Sequence, residues 1–99
     1  ASIRVRVDAA HARQLARQGA SNAALAPSEV EVHCRPEPAA ETLLRTAIGK
    51  LSLSARAYHR ILKVARTIAD LADAQAIAPA HVAEAVQYRK LDRGVAAVH

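Results

Sequence analysis

Apolar residues recur at helical spacing along most of this 99-residue chain. The clearest run covers residues 51–71, where Tyr58, Ile61, Leu62, Ala65, Ile68 and Ala69 follow an i, i+3, i+4, i+7 pattern that Ala72 continues. Ala57, Val64 and Leu71 widen the stripe into a broad face. That width predicts a central helix of about five turns that meets neighbours on more than one side. Ser54 is placed to cap its start, its side chain accepting from a free backbone N–H.

The remaining segments predict helices packed around this one. Residues 3–18 form a first helix with Ile3, Val7 and Ala10 on one face and Leu15 near its far end. Gly19 follows, suited to the left-handed conformation that ends helices. Residues 20–38 read as the connection. There Ser21 and Asn22 are positioned to cap a short turn that Pro27 ends, and Ser28 and Glu31 have capping-box spacing for a short helix over 29–33. Pro38 opens a second amphipathic helix over 38–50, with Ala40, Leu43, Leu44, Ala47, Ile48 and Leu51 as its stripe and Glu41 and Arg45 as an i, i+4 ion pair. Residues 51–53 make a tight link, and the central helix is expected to end near Asp73. A last helix starts at Pro79, with Ala78 as N-cap and Ile77 and Val82 as a hydrophobic staple, and runs to about Lys90. Residues 92–99 lack periodicity and are expected to fray. Neither a repeat nor an alternating strand pattern is present. The fold class is all-α, a bundle of four main helices plus a short extra turn.

Composition narrows this picture. The chain has no Phe, Trp or Met, and its two aromatic residues are tyrosines, so the core must be built from Ala, Leu, Ile and Val. A single domain of this size buries only about 60–65% of its unfolded surface and is modestly stable. Small Ala side chains allow close helix approach but bury little area each, which suits a domain that rests against something larger. The lack of an initiator Met points to a processed chain or a piece of a longer one. No apolar run approaches the roughly 18–20 residues of a membrane span, so no membrane role is expected. The one cysteine, Cys34, has no internal disulfide partner, and a cytoplasmic setting fits best. The net charge of +5 raises nucleic acid or a phosphorylated ligand as partners, against the plainer alternative of a solvated basic surface. Arg4, Arg6, Arg13 and Arg17 concentrate that charge on the first helix.

Most catalytic chemistries find no support. His11, His33, Cys34, His59, His81 and His99 include no pair at zinc-ligand spacing, so no metal site is expected. Cys34 falls in the connection, where a surface thiol without an activating partner is the expected state. There is no G-x-x-x-x-G-K-[ST], so this chain supplies no main nucleotide-binding loop and is not an enzyme by itself. Arg66 and Asp70 are i, i+4 partners, and the Thr67 hydroxyl is expected to bond a preceding carbonyl. Arg56 is the exception. It lies in the first turn of the central helix, where the helix dipole disfavours a cation, and Arg60 and Lys63 continue its face. Two roles remain open on the residues alone: a salt bridge to a carboxylate on another helix, or phosphate binding at a helix start.

The strings Leu53-Ser54-Ala55-Arg56-Ala57-Tyr58-His59-Arg60 and Ala65-Arg66-Thr67-Ile68-Ala69-Asp70-Leu71 shift the balance toward phosphate. With Ile77, Pro79, His81 and 84–89, they closely resemble the C-terminal domain of the bacterial magnesium-chelatase-related AAA+ ATPases, the competence protein ComM group. The likeness extends over about residues 3–93, leaving 94–99 as a tail. It implies a helical lid that closes over ATP and Mg2+ held by an α/β core outside this chain. It also implies that Ser54-Ala55-Arg56 is the S-x-R of such lids, with Arg56 the sensor-2 arginine and Ser54 and Arg60 in support. A ring, commonly hexameric, with the lid's own N-terminal core as partner and DNA as the whole protein's substrate, follows from the same resemblance. Where the family tends to have Ala-Arg, this chain has Ala10-His11. The alternative reading is a free-standing basic bundle that binds nucleic acid or docks a protein, although no aromatic platform exists for stacking bases.

Overall fold

In a computed structural model of the chain, the backbone is described for residues 2–98 and the side chains for residues 3–88. Five α-helices follow one another: α1 (Ser2–Gln18), α2 (Pro27–His33), α3 (Pro38–Leu51), α4 (Ala55–Leu71) and α5 (Pro79–Val98), with a 3₁₀ turn at Asn22–Ala24. Among the described residues there is no strand, and the one β-bridge joins Pro36 to Ile77. It carries a hydrogen bond from the Glu37 N–H to the Ile77 carbonyl at 2.9 Å, which ties the loops entering α3 and α5 together.

The termini follow local rules read from the sequence. Ser54 caps α4, its Oγ accepting from the Ala57 N–H at 3.3 Å. Gly19 has φ of +76°, where a Cβ would be strained, and its N–H closes α1 onto the Leu15 carbonyl at 2.9 Å. Pro38 and Pro79 each occupy a first helical position, where the missing N–H costs nothing. At the start of α5 a further cap is present: the Ala78 N–H donates to His81 Nδ1 at 2.9 Å. The imidazole there takes the place that Glu or Gln fills in the usual capping box.

Three boundaries differ from expectation. Helix α2 begins at Pro27 rather than at Glu29, because Pro27 sits at its first turn and opens the helix instead of ending the preceding one. Glu29, not Glu31, reaches back to the N-cap, its Oε1 accepting from the Ala26 N–H at 2.8 Å. Ser21 stands at the N-cap of the 3₁₀ turn without a side-chain cap bond. Helix α4 ends at Leu71, where Asp73 takes a positive φ of 59° and turns the chain. Helix α5 continues to Val98, past Lys90, through a stretch whose Leu, Ala and Val offer no breaker except Gly94. The side chains of the expected tail, 94–99, lie outside the described residues.

The core gathers on the inner faces of α3, α4 and α5. Leu44, Ala65, Ala69, Ile77 and Val82 have no exposed surface, and Ile61 and Leu62 are buried beside them. The Ile77–Val82 staple therefore forms as its spacing requires, inside the core rather than at its edge. Val30 and Cys34 bring α2 into the same cluster. Cys34 is fully buried, contrary to the expectation of a surface thiol, because it caps the end of α2 on its inward side. Burial pushes its thiol pKa up despite the positive charges of Arg17 and Arg66, which leaves it protonated and unreactive. Ile77→Ala is expected to lower stability by about 2–5 kcal/mol, since it empties part of the core and removes the staple. Val32→Ala, at a site 66% exposed, should stay within roughly 0.5 kcal/mol; chemical denaturation of both variants checks the contrast.

Candidate functional site

Arginines gather at both ends of α4, and the contrast between the two groups locates the site. The first set lies where α1 crosses the C-terminal end of α4. Asp70, fully buried, is its centre. Arg17 grips both oxygens of the Asp70 carboxylate, Nη1 to Oδ1 at 3.0 Å and Nη2 to Oδ2 at 3.2 Å. Arg66, itself only 3% exposed, donates to Oδ1 through Nε at 3.1 Å. Its two terminal nitrogens then donate to the Gln75 and Ala74 carbonyls at 2.9 and 2.7 Å, holding the turn after α4. Asn22 completes the shell by donating to Asp70 Oδ2 at 3.1 Å and to Thr67 Oγ1 at 3.0 Å. Gln14 and Gln18 bond Asn22 in turn.

Arg13 adds to the same junction, donating to the Asp70 carbonyl and pairing with Asp73, both at 2.8 Å. Arg6 reaches the Leu71 carbonyl at 3.5 Å. Cations at the C-terminal end of a helix meet the negative pole of its dipole, so α1 docks on α4 largely through charge and hydrogen bonds. The expected basic face of the first helix is therefore spent in part within the fold, through Arg13 and Arg17. Arg4, beside Asp8 at 3.8 Å, and Arg6 stay exposed. The expected apolar face is realised in part: Ala10 is buried, but Ile3 and Val7, about two turns and one turn nearer the N-terminus, are 75% and 50% exposed.

The Arg66–Asp70 pair and the Thr67 hydroxyl bond to the Lys63 carbonyl at 3.0 Å are present as expected. The interhelical shell around them was not foreseen. Burial alone would raise the pKa of Asp70, but hydrogen bonds from Arg17 and Asn22 and the nearby guanidinium charges outweigh it and hold the carboxyl below its usual range. Burial likewise lowers the Arg66 pKa, with Asp70 opposing it.

The second set lies at the opposite end of α4. Arg56, His59, Arg60 and Lys63 share one stripe at i, i+3, i+4 and i+7. With Pro27 they line a depression of about 330 Å³. Arg56 and Arg60 are exposed and, among the described residues, have no hydrogen-bond or ion-pair partner. The salt bridge left open for Arg56 is thus not made. Lys63 is held only by the Ala23 carbonyl at 3.3 Å, and His59 faces Glu31 at 3.6 Å. Ser54 does not join this cluster; its side chain is used as the helix cap. Beyond Lys63 the outer face of α4 turns apolar, and with α5 it forms a groove of about 510 Å³ lined by Val64, Ile68, Leu71 and Tyr88.

Other candidate chemistries are not assembled. Among the described residues, no three His, Cys, Asp or Glu side chains converge as a metal site would require. No described helix is long and apolar enough to cross a membrane.

Residues 1–89 match the family model described as magnesium chelatase, subunit ChlI C-terminal. The chain is 45% identical over 93 residues to the competence protein ComM of Haemophilus influenzae, covering 94% of this chain and 18% of that protein. The uncharacterized YifB proteins of Salmonella typhimurium and Escherichia coli are 44% and 43% identical over the same length. The chain thus spans less than a fifth of the curated relatives it matches.

Asp70→Asn is expected to cost about 3–5 kcal/mol, because it leaves Arg17 and Arg66 without their counter-charge in a buried site. The sign of the pH effect follows from the lowered pKa. The native carboxylate is favoured, so its contribution is complete above the unfolded value of about 3.9 and is lost as pH falls through the depressed native value. Denaturation measured across the acidic range should show this loss in the wild-type chain and its absence in Asp70→Asn.

Proposed function

Because the chain belongs to the magnesium chelatase subunit ChlI C-terminal family, we propose that it is the C-terminal helical lid of a larger AAA+ ATPase, with Arg56 as its sensor-2 arginine. One observation carries this reading. Arg56 sits at the positive end of α4, exposed, without a counter-ion among the described residues, and beside a concave site lined by further cations. A cation placed there by the fold at a small electrostatic cost is suited to an anion that arrives from outside. A guanidinium can grip two phosphate oxygens at once, which an ammonium cannot.

In this mechanism the rest of the polypeptide supplies the phosphate-binding loop, the Mg2+ ligands and the attacking water. The lid supplies Arg56. Its charge offsets the terminal phosphates and the charge that develops as the bond to the leaving phosphate breaks. Loss of that phosphate removes the anion holding the lid, so the lid relaxes and hydrolysis becomes motion. Ser54 contributes by fixing the first turn of α4 and hence where Arg56 points, and Arg60 adds a second cation one turn on. The arginine pairs at the other end of α4 fix the orientation of the helix that carries both.

The Haemophilus influenzae relative is named a competence protein, which supports a role for the whole protein in competence; the further proposal that it acts on DNA, as a hexameric ring in the cytoplasm, rests on the family resemblance of the sequence. The alternative of a free-standing basic nucleic-acid-binding bundle keeps the net charge and the exposed Arg4 and Arg6 in its favour but loses Arg13 and Arg17, which are engaged within the fold. In the full-length protein, Arg56→Ala is expected to cut ATP turnover by roughly 10- to 100-fold with the fold intact, as judged by circular dichroism. Turnover at the wild-type level in a folded variant contradicts the assignment.

A further inference from the structure

The stripe that begins at Arg56 is longer than one phosphate needs. Positions 56 to 63 span about 10 Å along the helix axis. Along it, Arg56 and Arg60 are i, i+4 neighbours and Arg60 and Lys63 are i, i+3 neighbours, spacings at which like charges repel. The positive pole of α4 adds to that cost. The arginines around Asp70 are treated differently. Arg13, Arg17 and Arg66 each have a carboxylate partner at 2.8 to 3.0 Å. Beside the stripe, Glu31 faces His59, and Glu84 lines the neighbouring groove with Arg60 and Lys63; among the described residues neither carboxylate pairs with Arg56, Arg60 or Lys63. Lys63 is half-buried and, among the described residues, its ammonium group has one hydrogen-bond partner, the Ala23 carbonyl, against the three donors it carries. All four side chains border one concave site rather than a flat face.

We propose that Arg56, Arg60 and Lys63, with His59 beside them, form one cradle for a polyphosphate chain, so that the lid holds the run of phosphates of a nucleoside triphosphate and not its last phosphate alone. This rests on the phosphate role of Arg56 and extends it to Lys63. Arg56, at the helix start, acts on the phosphate that leaves. Arg60 and Lys63, farther along, act on the phosphates that stay and therefore set affinity more than rate.

The test is ATP turnover by the full-length protein, with inorganic tripolyphosphate and orthophosphate as competing inhibitors. Tripolyphosphate is expected to compete with ATP far better than orthophosphate. Lys63→Gln is expected to raise both the KM for ATP and the inhibition constant of tripolyphosphate by about fivefold, and Arg60→Gln by a similar factor, the size of one solvent-exposed ion pair. The inhibition constant of orthophosphate should move by less than twofold in Lys63→Gln. Both variants should melt no lower than wild type, because each removes a like-charge contact from an exposed or half-buried stripe. Unchanged KM and tripolyphosphate inhibition in both variants overturn the cradle. So does a selective loss of duplex DNA binding with ATP kinetics intact, which would give the stripe to nucleic acid. A folded Arg56→Ala variant with wild-type turnover sinks the sensor-2 role instead, so failure of the cradle and failure of that role are distinguishable.

Discussion

The carboxylate of Asp70 is the constraint on which the rest of the arrangement depends. It lies fully buried between two guanidinium groups from different helices, and a buried charge is tolerable only when its partners neutralise it and fill its acceptor sites. Arg17 does so from α1, Arg66 from within α4, and Asn22 from the turn between α1 and α2. Each partner is held in turn by glutamine side chains or loop carbonyls. Such a network is directional in a way that an Ala-rich core is not. Small apolar side chains allow helices to slide or rotate at little cost, whereas a bidentate arginine pair fixes both distance and angle. In a domain without Phe, Trp or Met, the polar shell supplies the register that large side chains would otherwise provide.

That arrangement gives the two ends of α4 opposite roles. At its C-terminal end the arginines of α1 meet exposed carbonyls and the negative pole of the dipole, and their charge is consumed by the fold. At its N-terminal end the cations are left over. Carboxylates are distributed unevenly over the described residues, and one group of cations without an ion pair there, Arg56, Arg60 and Lys63, lies on a single stripe beside a concave surface. Those cations lie on α4, the helix whose other end is fixed by the shell around Asp70.

Much of this was legible in the sequence where local rules govern. The stripe of α4, the Ser54 cap, the Gly19 helix end, the Ile77–Val82 staple and Pro38 and Pro79 as first residues follow from spacing and backbone chemistry within a few positions. The anion-suited position of Arg56 followed from the same reasoning. What escaped was tertiary. The face of Arg13, Gln14, Arg17 and Gln18 reads as solvated because polar residues on a helix usually are, and nothing within the helix reveals an aspartate more than fifty positions away. Asn22 reads as a cap because caps are local; its burial depends on Thr67 and Asp70. Cys34 reads as a loop thiol because the inward turn at the end of α2 is set by the core and not by its neighbours in sequence. A helix whose polar stripe runs through the same face as a buried alanine, here Ala10, is the signal that could have exposed the α1 junction.

The central claim is that the fold withholds Arg17 and Arg66 and offers Arg56 to a phosphate. Modification of the full-length protein by an arginine-specific dicarbonyl reagent, mapped by mass spectrometry with and without a non-hydrolysable ATP analogue, tests it most directly. The account predicts that Arg17 and Arg66 resist the reagent in both conditions, while Arg56 reacts in the free protein and is protected by the analogue. Equal modification of Arg56 with and without nucleotide, or ready modification of Arg17 and Arg66 in the folded protein, would contradict it.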